Sequence, residues 1–291
     1  MKKYDAIVIG AGHNGLTNAA YLAKAGLNVA VLERNNYIGG ATVSRELHKG
    51  WTYSNCSYVC SLLRPELVRD LELPRHGLQV VPYGGGVTFM KNGDYYGNFY
   101  DHERQYREMT RHSKRDANAY ERYTTDVMKQ TRLIRPFLLK TPPDPTSLKL
   151  RDLKDLMEYG RAFMGLGEAG LIDALKFWTK SVGDFLDEYF ESDVIKAHLG
   201  GTGVIGTALG VYSPGTAYVL LHHYMGDVDG NVGSWGFARG GMGAVAGALA
   251  KSLQGFGGDI ICDADVDQIM VKHGKAYGVA LKNGTELYAD V

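Results

Sequence analysis

The chain has 291 residues, enough for one large domain or two ordinary ones around a sizeable core. Its 32 Lys and Arg residues balance 32 Asp and Glu, and this zero net charge gives no overall electrostatic footprint for nucleic acid or an anionic membrane surface. Glycine is the outlier: 38 residues, about 13% and roughly twice ordinary usage, mark places where backbone bends tightly or approaches a ligand.

Residues 5–10 (DAIVIG) are a short, apolar, β-branched run suited to a buried parallel strand. It flows into Gly10-Ala11-Gly12-His13-Asn14-Gly15, a G-x-G-x-x-G. Over residues 14–25 the apolar Leu16, Ala19, Ala20, Leu22 and Ala23 recur at helical spacing, and Gly26 stops the helix. Residues 28–33 (NVAVLE) form a second strand ending in an acid, Glu33, eighteen positions after Gly15. Strand, glycine turn, helix and acid-ended strand make a dinucleotide-binding unit. Gly10 permits the tight turn, Gly12 lets backbone approach a pyrophosphate, and Gly15 lets the helix pack closely on the strands. Unpaired N–H groups and the positive dipole end at the helix start suit phosphate, with His13 and Asn14 beside it as binding residues. Glu33 is placed to accept hydrogen bonds from ribose hydroxyls. The second match to the pattern, Gly201 to Gly206, follows a helix-like segment and lacks the strand-ending acid, so it reads as a false positive.

After Arg34 comes Asn35-Asn36-Tyr37-Ile38-Gly39-Gly40-Ala41, whose glycine pair lets another backbone stretch approach a dinucleotide. The span 4–41 resembles the FAD-binding start of flavoproteins of the glutathione-reductase and amine-oxidase type. The redox cysteines of disulfide reductases are missing, and Ala41-Thr42-Val43-Ser44 stands in their place.

Further on stand Gly50-Trp51, Ser61-Leu62-Leu63-Arg64-Pro65-Glu66-Leu67, Leu71-Glu72-Leu73 and His76-Gly77-Leu78. With Tyr212-Ser213-Pro214-Gly215-Thr216-Ala217-Tyr218, Leu220-Leu221-His222-His223 and Gly240-Gly241-Met242-Gly243-Ala244, they are similar to the phytoene dehydrogenase-like FAD oxidoreductases. Within these, they resemble the subgroup of pyridine nucleotide-disulfide oxidoreductase domain-containing protein 2.

The resemblance implies an α/β fold: a Rossmann-type FAD/NAD(P)-binding domain (1–75 and 236–291) with an α+β substrate domain (76–235). It implies FAD as cofactor, held by Gly10, Gly12, His13, Asn14, Gly15, Glu33, Arg34, Gly39, Gly40, Ala41 and the backbone of Val266. It also implies hydride transfer to the flavin from a C–H bond of an apolar small molecule. No catalytic acid or base is singled out among the residues, and Tyr53, Tyr58, Tyr212, Tyr218, His222 and His223 are only candidates to line a cavity. Family members continue for a comparable length, so the chain is expected to be an amino-terminal fragment, truncated at the carboxyl end. An NAD-dependent dehydrogenase would share residues 10–33, but Gly39-Gly40 argues against it. A regulatory protein that keeps a nucleotide without turnover is the other alternative.

Residues 78–82, 87–90 and 94–100 read as short strands, with Asn92-Gly93 as a hairpin signal. Residues 101–139 turn helical and charged; Ser113-x-x-Asp116 resembles a capping box, so one helix is expected to end near Thr110. Spacings such as Glu103/Arg107 and Arg104/Glu108 predict a solvated, self-paired face. Residues 133–140 (LIRPFLLK) combine bulk with flanking cations; they are expected to pack on a neighbouring helix, with peripheral membrane contact as the alternative.

Residues 197–226 hold no Asp, Glu, Lys or Arg, but seven glycines and Pro214 make a spanning helix improbable, and the run reads as buried interior. Adjacent His222 and His223 point apart on a helix, so no metal site is expected. After the helix opened by Gly243, residues 266–271, 276–281 and 286–291 read as a meander. Three cysteines, Cys56, Cys60 and Cys262, are too few and odd in number for a disulfide scaffold; the first two read as semi-buried thiols. No signal peptide is recognisable, because Asp5 and the short run 6–9 leave no apolar h-region; a cytoplasmic location is expected.

Overall fold

The computed structural model describes residues 3–291. Its organising element is the strand Val29–Leu32, buried at every position. Side chains alternate across a strand, and here each face meets its own core. Val29 and Val31 pack with Leu16, Ala19, Ala20 and Ala23 of the helix His13–Lys24 and with Val245, Ala246, Leu249 and Leu253 of the helix Gly243–Gly255. Ala30 and Leu32 pack with Tyr4, Ala264, Val279, Leu281 and Ala289.

The parallel sheet runs in the order Asp259–Ile261, Val29–Leu32, Ala6–Ile9, with Ile260 opposite Val31 and Val8 opposite Val31 on the other side. Val291 adds a rung beyond Ala6–Ile9: the Ile7 N–H donates to its carbonyl at 3.0 Å, and its own N–H donates to the Asp5 carbonyl at 3.2 Å. The expected meander is present as Val266–Lys272, Lys275–Leu281 and Glu286–Ala289, antiparallel in sequence order, with Lys3–Tyr4 parallel to the last strand.

Two compact units divide the chain. One joins the residues up to Tyr83 with Asp227–Val291; the other is Gly84–Gly226. The strand Val80–Pro82 pairs with Gly236–Ala238 and not with its neighbour Gly85–Phe89, which pairs with Tyr95–Phe99. That pairing ties residues on both sides of the insertion to the first unit.

The second unit is mostly helical. Its core gathers Tyr96, Tyr123, Phe177, Phe185, Phe190, Ile195, Leu220 and Leu221. The first of its long helices, His102–His112, ends two residues beyond the expected point, and Ser113 caps Lys114–Ile134 by accepting from the Asp116 N–H at 3.1 Å. The expected self-paired face needs correction. Glu103 and Arg107 do approach to 3.9 Å, but Arg104 sits over the Phe99 ring, 3.7 Å from its centroid. Glu108 is buried, accepting from the Gly97 N–H at 3.0 Å and from Arg111 at 2.9 Å. Asp116 is buried completely, with one oxygen accepting from the Glu191 N–H and the other from the Ser192 N–H, both at 2.9 Å. These acids are drawn inward because buried backbone donors require acceptors.

Two further expectations are corrected. The uncharged run 197–226 is not uniformly interior: Leu220, Leu221 and Met225 are buried, whereas Ile205, Leu209, Val211 and Tyr212 are exposed on a loop. Cys56 is exposed while Cys60 is buried. The glycines of 201–206 begin with a short 3₁₀ turn, Gly201–Gly203, directly after the helix Asp193–Gly200 and with no strand before it. Among the described residues, no helix is long and apolar enough to cross a membrane.

Candidate dinucleotide site

The first glycine turn is closed by steric necessity. Gly10 holds a φ of +99°, which L side chains rarely adopt, and its N–H donates to the Leu32 carbonyl at 2.7 Å. A Cβ on Gly15 would lie 2.1 Å from the Gly10 carbonyl oxygen, so the helix sits on the strand end at backbone distance. Gly12 precedes the helix with no side-chain cap, and the first helical turn holds no acid. Its amide donors are therefore left for an anion. His13 is half-buried on the first turn, and Asn14 is exposed beside it.

The second glycine pair has a structural duty that its spacing did not reveal. The Gly39 N–H donates to the Ala11 carbonyl at 2.9 Å, and Gly12 and Gly39 form a parallel bridge. A Cβ on Gly40 would stand 3.1 Å from the Gly12 Cα. The two glycine turns lean on each other, and the exposed Gly40-Ala41 backbone lies beside the helix start. Thr42, buried, fixes the pair by donating from its hydroxyl to the Gly39 carbonyl at 2.8 Å.

Glu33 is buried at the strand end. One carboxylate oxygen accepts from the Ala11 N–H at 2.9 Å; the other accepts from the Asn35 N–H at 3.0 Å and the Asn35 amide at 2.7 Å. Burial works against the charge. The Asn35 and Ala11 N–H groups, the Asn35 amide and the Arg34 charge outweigh it, and the carboxyl is held below the ordinary glutamate range. A carboxylate offers about four acceptor positions, so with three donors on it Glu33 keeps room for one more, such as a ribose hydroxyl. Arg34 is exposed. The main chain of Glu33 is also pinned, donating to Ile261 and accepting from Ala264, each at 2.9 Å. Val266 follows two residues later, half-buried at the start of the meander.

Sequence reasoning missed Asn35, Ser44 and Ser54. Ser44 and Ser54 face each other on the hairpin Ser44–His48 and Trp51–Ser54, their hydroxyls 3.3 Å apart. They accept from the Gly243 and Met242 N–H groups at 2.8 and 3.0 Å, satisfying donors at the start of the helix Gly243–Gly255. A Cβ on Gly241 would lie 2.5 Å from the Ser44 hydroxyl, which explains why the turn is glycine-rich. Asn35 carried a signal, an amide two residues after the acid. The serines carried none, because their partners lie nearly 200 residues away in sequence.

Comparison with known proteins places these features. The NAD(P)-binding Rossmann-like domain family matches residues 8–68, which contain both glycine turns and Glu33. Pyridine nucleotide-disulfide oxidoreductase domain-containing protein 2 of Mus musculus is 38% identical over 310 aligned residues, covering 99% of this chain and 52% of its own length. Along nearly its whole length the chain is similar to that protein. It spans about half the length of the curated relatives it matches. More distantly, the chloroplastic prolycopene isomerase of Daucus carota is 24% identical over 99% of this chain and 45% of its own.

Among solved structures, a putrescine oxidase mutant from a redesign of cofactor binding superposes with a TM-score of 0.58 at 18% identity, covering 99% of this chain and 56% of that one. RAB GDI from Plasmodium falciparum superposes with a TM-score of 0.58 at 13% identity, covering 99% and 64%. The fold is the mixed α/β, Rossmann-like dinucleotide-binding fold of the amine-oxidase and glutathione-reductase type.

Proposed function

We propose that the chain is the cofactor-binding part of an FAD-dependent oxidoreductase that removes a hydride from a C–H bond of an apolar small molecule. The observation that carries this reading is the pair of interlocked glycine turns, Gly10–Gly15 and Gly39-Gly40, beside the buried Glu33 carboxylate. The uncapped amides at the start of His13–Lys24 would hold the pyrophosphate, with His13, Asn14 and Ala41 around it. Glu33 would take a ribose hydroxyl on its remaining acceptor position, Arg34 would flank it, and the Val266 backbone would meet the adenine. When bound, FAD supplies the two-electron acceptor; the protein supplies orientation and exclusion of water. The apolar substrate class rests on the phytoene dehydrogenase-like resemblance and the distant prolycopene isomerase.

A second reading, a nucleotide-binding protein without turnover, requires only the interlocked glycine turns and the Glu33 carboxylate, which bind a dinucleotide without a catalytic acid or base. Absorption spectra of the purified chain, incubated with FAD or with NAD and then denatured, decide among these readings. Stoichiometric release of FAD is expected, with little release from Gly12→Val. Retention of NAD in place of FAD assigns a nicotinamide dehydrogenase. Bound flavin that no reductant reduces assigns the non-catalytic reading, and no retained nucleotide overturns the proposal.

A further inference from the structure

The helix Leu150–Met164 has no buried residue, whereas a helix packed into a folded unit ordinarily hides one face. Its inward side is formed by Leu156, Tyr159 and Phe163, all half-buried. Tyr159 stacks on Phe137 with ring centroids 4.1 Å apart, and Phe163 meets Trp178 edge-on at 5.5 Å. Phe137 thereby turns part of the segment 133–140 onto this helix.

The outward side is not the polar surface that water requires. Leu150 is 87% exposed, Met157 54% and Met164 74%; Leu153 is exposed beside them, and Leu148, just before the helix, is 88% exposed. At 100° per residue, positions 150, 153, 157 and 164 fall within one narrow stripe. Lys154 and Arg161 border the stripe on one side, about 20–40° further round. Neither they nor Lys149 makes an ion pair among the described residues. The exposed acid at the edge of this face, Glu158, is engaged by Lys140. The face therefore presents large, flexible apolar groups bordered by uncompensated cations.

That combination has a specific chemical complement. Leu and Met side chains gain by entering the acyl boundary of a bilayer, while Lys and Arg stems lie along apolar surface and carry their charges up to lipid phosphates. The zero net charge of the chain does not oppose this, because charges beyond about 8 Å are screened at physiological salt and the local face decides. We propose that the outward face of Leu150–Met164, together with Leu148, docks on an anionic phospholipid surface with the helix lying in the plane of the interface.

Co-sedimentation with vesicles of phosphatidylcholine and phosphatidylglycerol, against vesicles of phosphatidylcholine alone, tests this directly. The chain is expected to sediment with the mixed vesicles and to bind more weakly to the neutral ones or in high salt. Lys154→Gln and Arg161→Gln should each weaken binding about fivefold, the equivalent of about 1 kcal/mol per cation. Leu150→Glu combined with Met157→Glu should weaken it at least about tenfold, since it removes two anchors and adds two repelled charges. All four positions are exposed, so far-UV circular dichroism and the urea midpoint should stay unchanged. Three outcomes overturn the proposal: wild-type chain left in the supernatant with mixed vesicles, equal binding by the double variant, or a dimer dissolved by that variant in the absence of vesicle binding. The last would assign the face to a second copy of the chain.

Discussion

In the unit that holds the glycine turns, the contacts that shape those turns are backbone against backbone: Gly15 on Gly10, Gly40 on Gly12, and Gly243 on the Ser44 N–H. The core of the helical unit is instead held ring against ring. The Tyr123 ring lies 5.2 Å from Phe190, 5.7 Å from Tyr189, 5.9 Å from Phe185 and 6.4 Å from Tyr224. A backbone contact leaves no side chain to give way, so one added carbon is felt in full. A ring cluster accepts exchange for a ring of similar volume but not the loss of one. The first region is built around shape that must stay absent, the second around volume that must stay present.

Removing a ring should have the largest effect. Tyr123→Ala, at a fully buried position, is expected to cost about 3–5 kcal/mol in urea unfolding. Tyr123→Phe keeps the volume and loses only the hydroxyl contact to Tyr224 at 3.0 Å, a cost of about 1 kcal/mol. Equal losses in the two variants would show that the hydroxyl pair, and not ring volume, holds this cluster.

Asp116→Ala comes next. It strands the Glu191 and Ser192 N–H groups in the interior, at a cost of about 2–3 kcal/mol. A smaller loss would mean that water replaces the carboxylate. In the glycine region, Gly15→Ala should cost about 1–3 kcal/mol through overpacking and should abolish nucleotide retention with it. Gly10→Ala meets no atom within 4 Å, so only its positive φ resists the substitution, by about 1–2 kcal/mol. If Gly10→Ala proves the more damaging of the two, φ rather than close approach governs the turn.

This contrast also explains what was legible in the sequence. The contacts of Gly10, Gly15 and Glu33 could be read because they fall in or directly beside one strand–helix–strand unit, where spacing fixes geometry. The capping of Lys114–Ile134 by Ser113 was legible for the same reason. The inward roles of Glu108 and Asp116 were not, since their donors come from a hairpin and from a loop 75 residues away. Nor was the duty of Gly39-Gly40 against Gly12, where the motif showed two glycines but not what they pressed upon. The exposed apolar stripe of Leu150–Met164 was hidden because a periodic pattern reveals that a helix has an apolar face, not whether the protein covers it.

The smallest predicted effect concerns Glu33 and depends on pH. Its carboxyl is held below the ordinary range in the folded chain, whereas the unfolded chain titrates near the reference value of about 4.3. The charged, hydrogen-bonded carboxylate therefore contributes its full stability above that value and loses it as pH falls through the folded-state value. Glu33→Gln has one acceptor oxygen where the wild type has two, so it cannot serve both the Ala11 and the Asn35 N–H groups. The variant should be less stable than wild type at pH 7, and the gap should narrow as pH drops below the unfolded-chain value of about 4.3 and through the lower folded-state value. Urea midpoints across that range provide the measurement. A gap that stays constant would mean that Glu33 titrates alike in both states, and that its three donors, not its charge, account for its place in the fold.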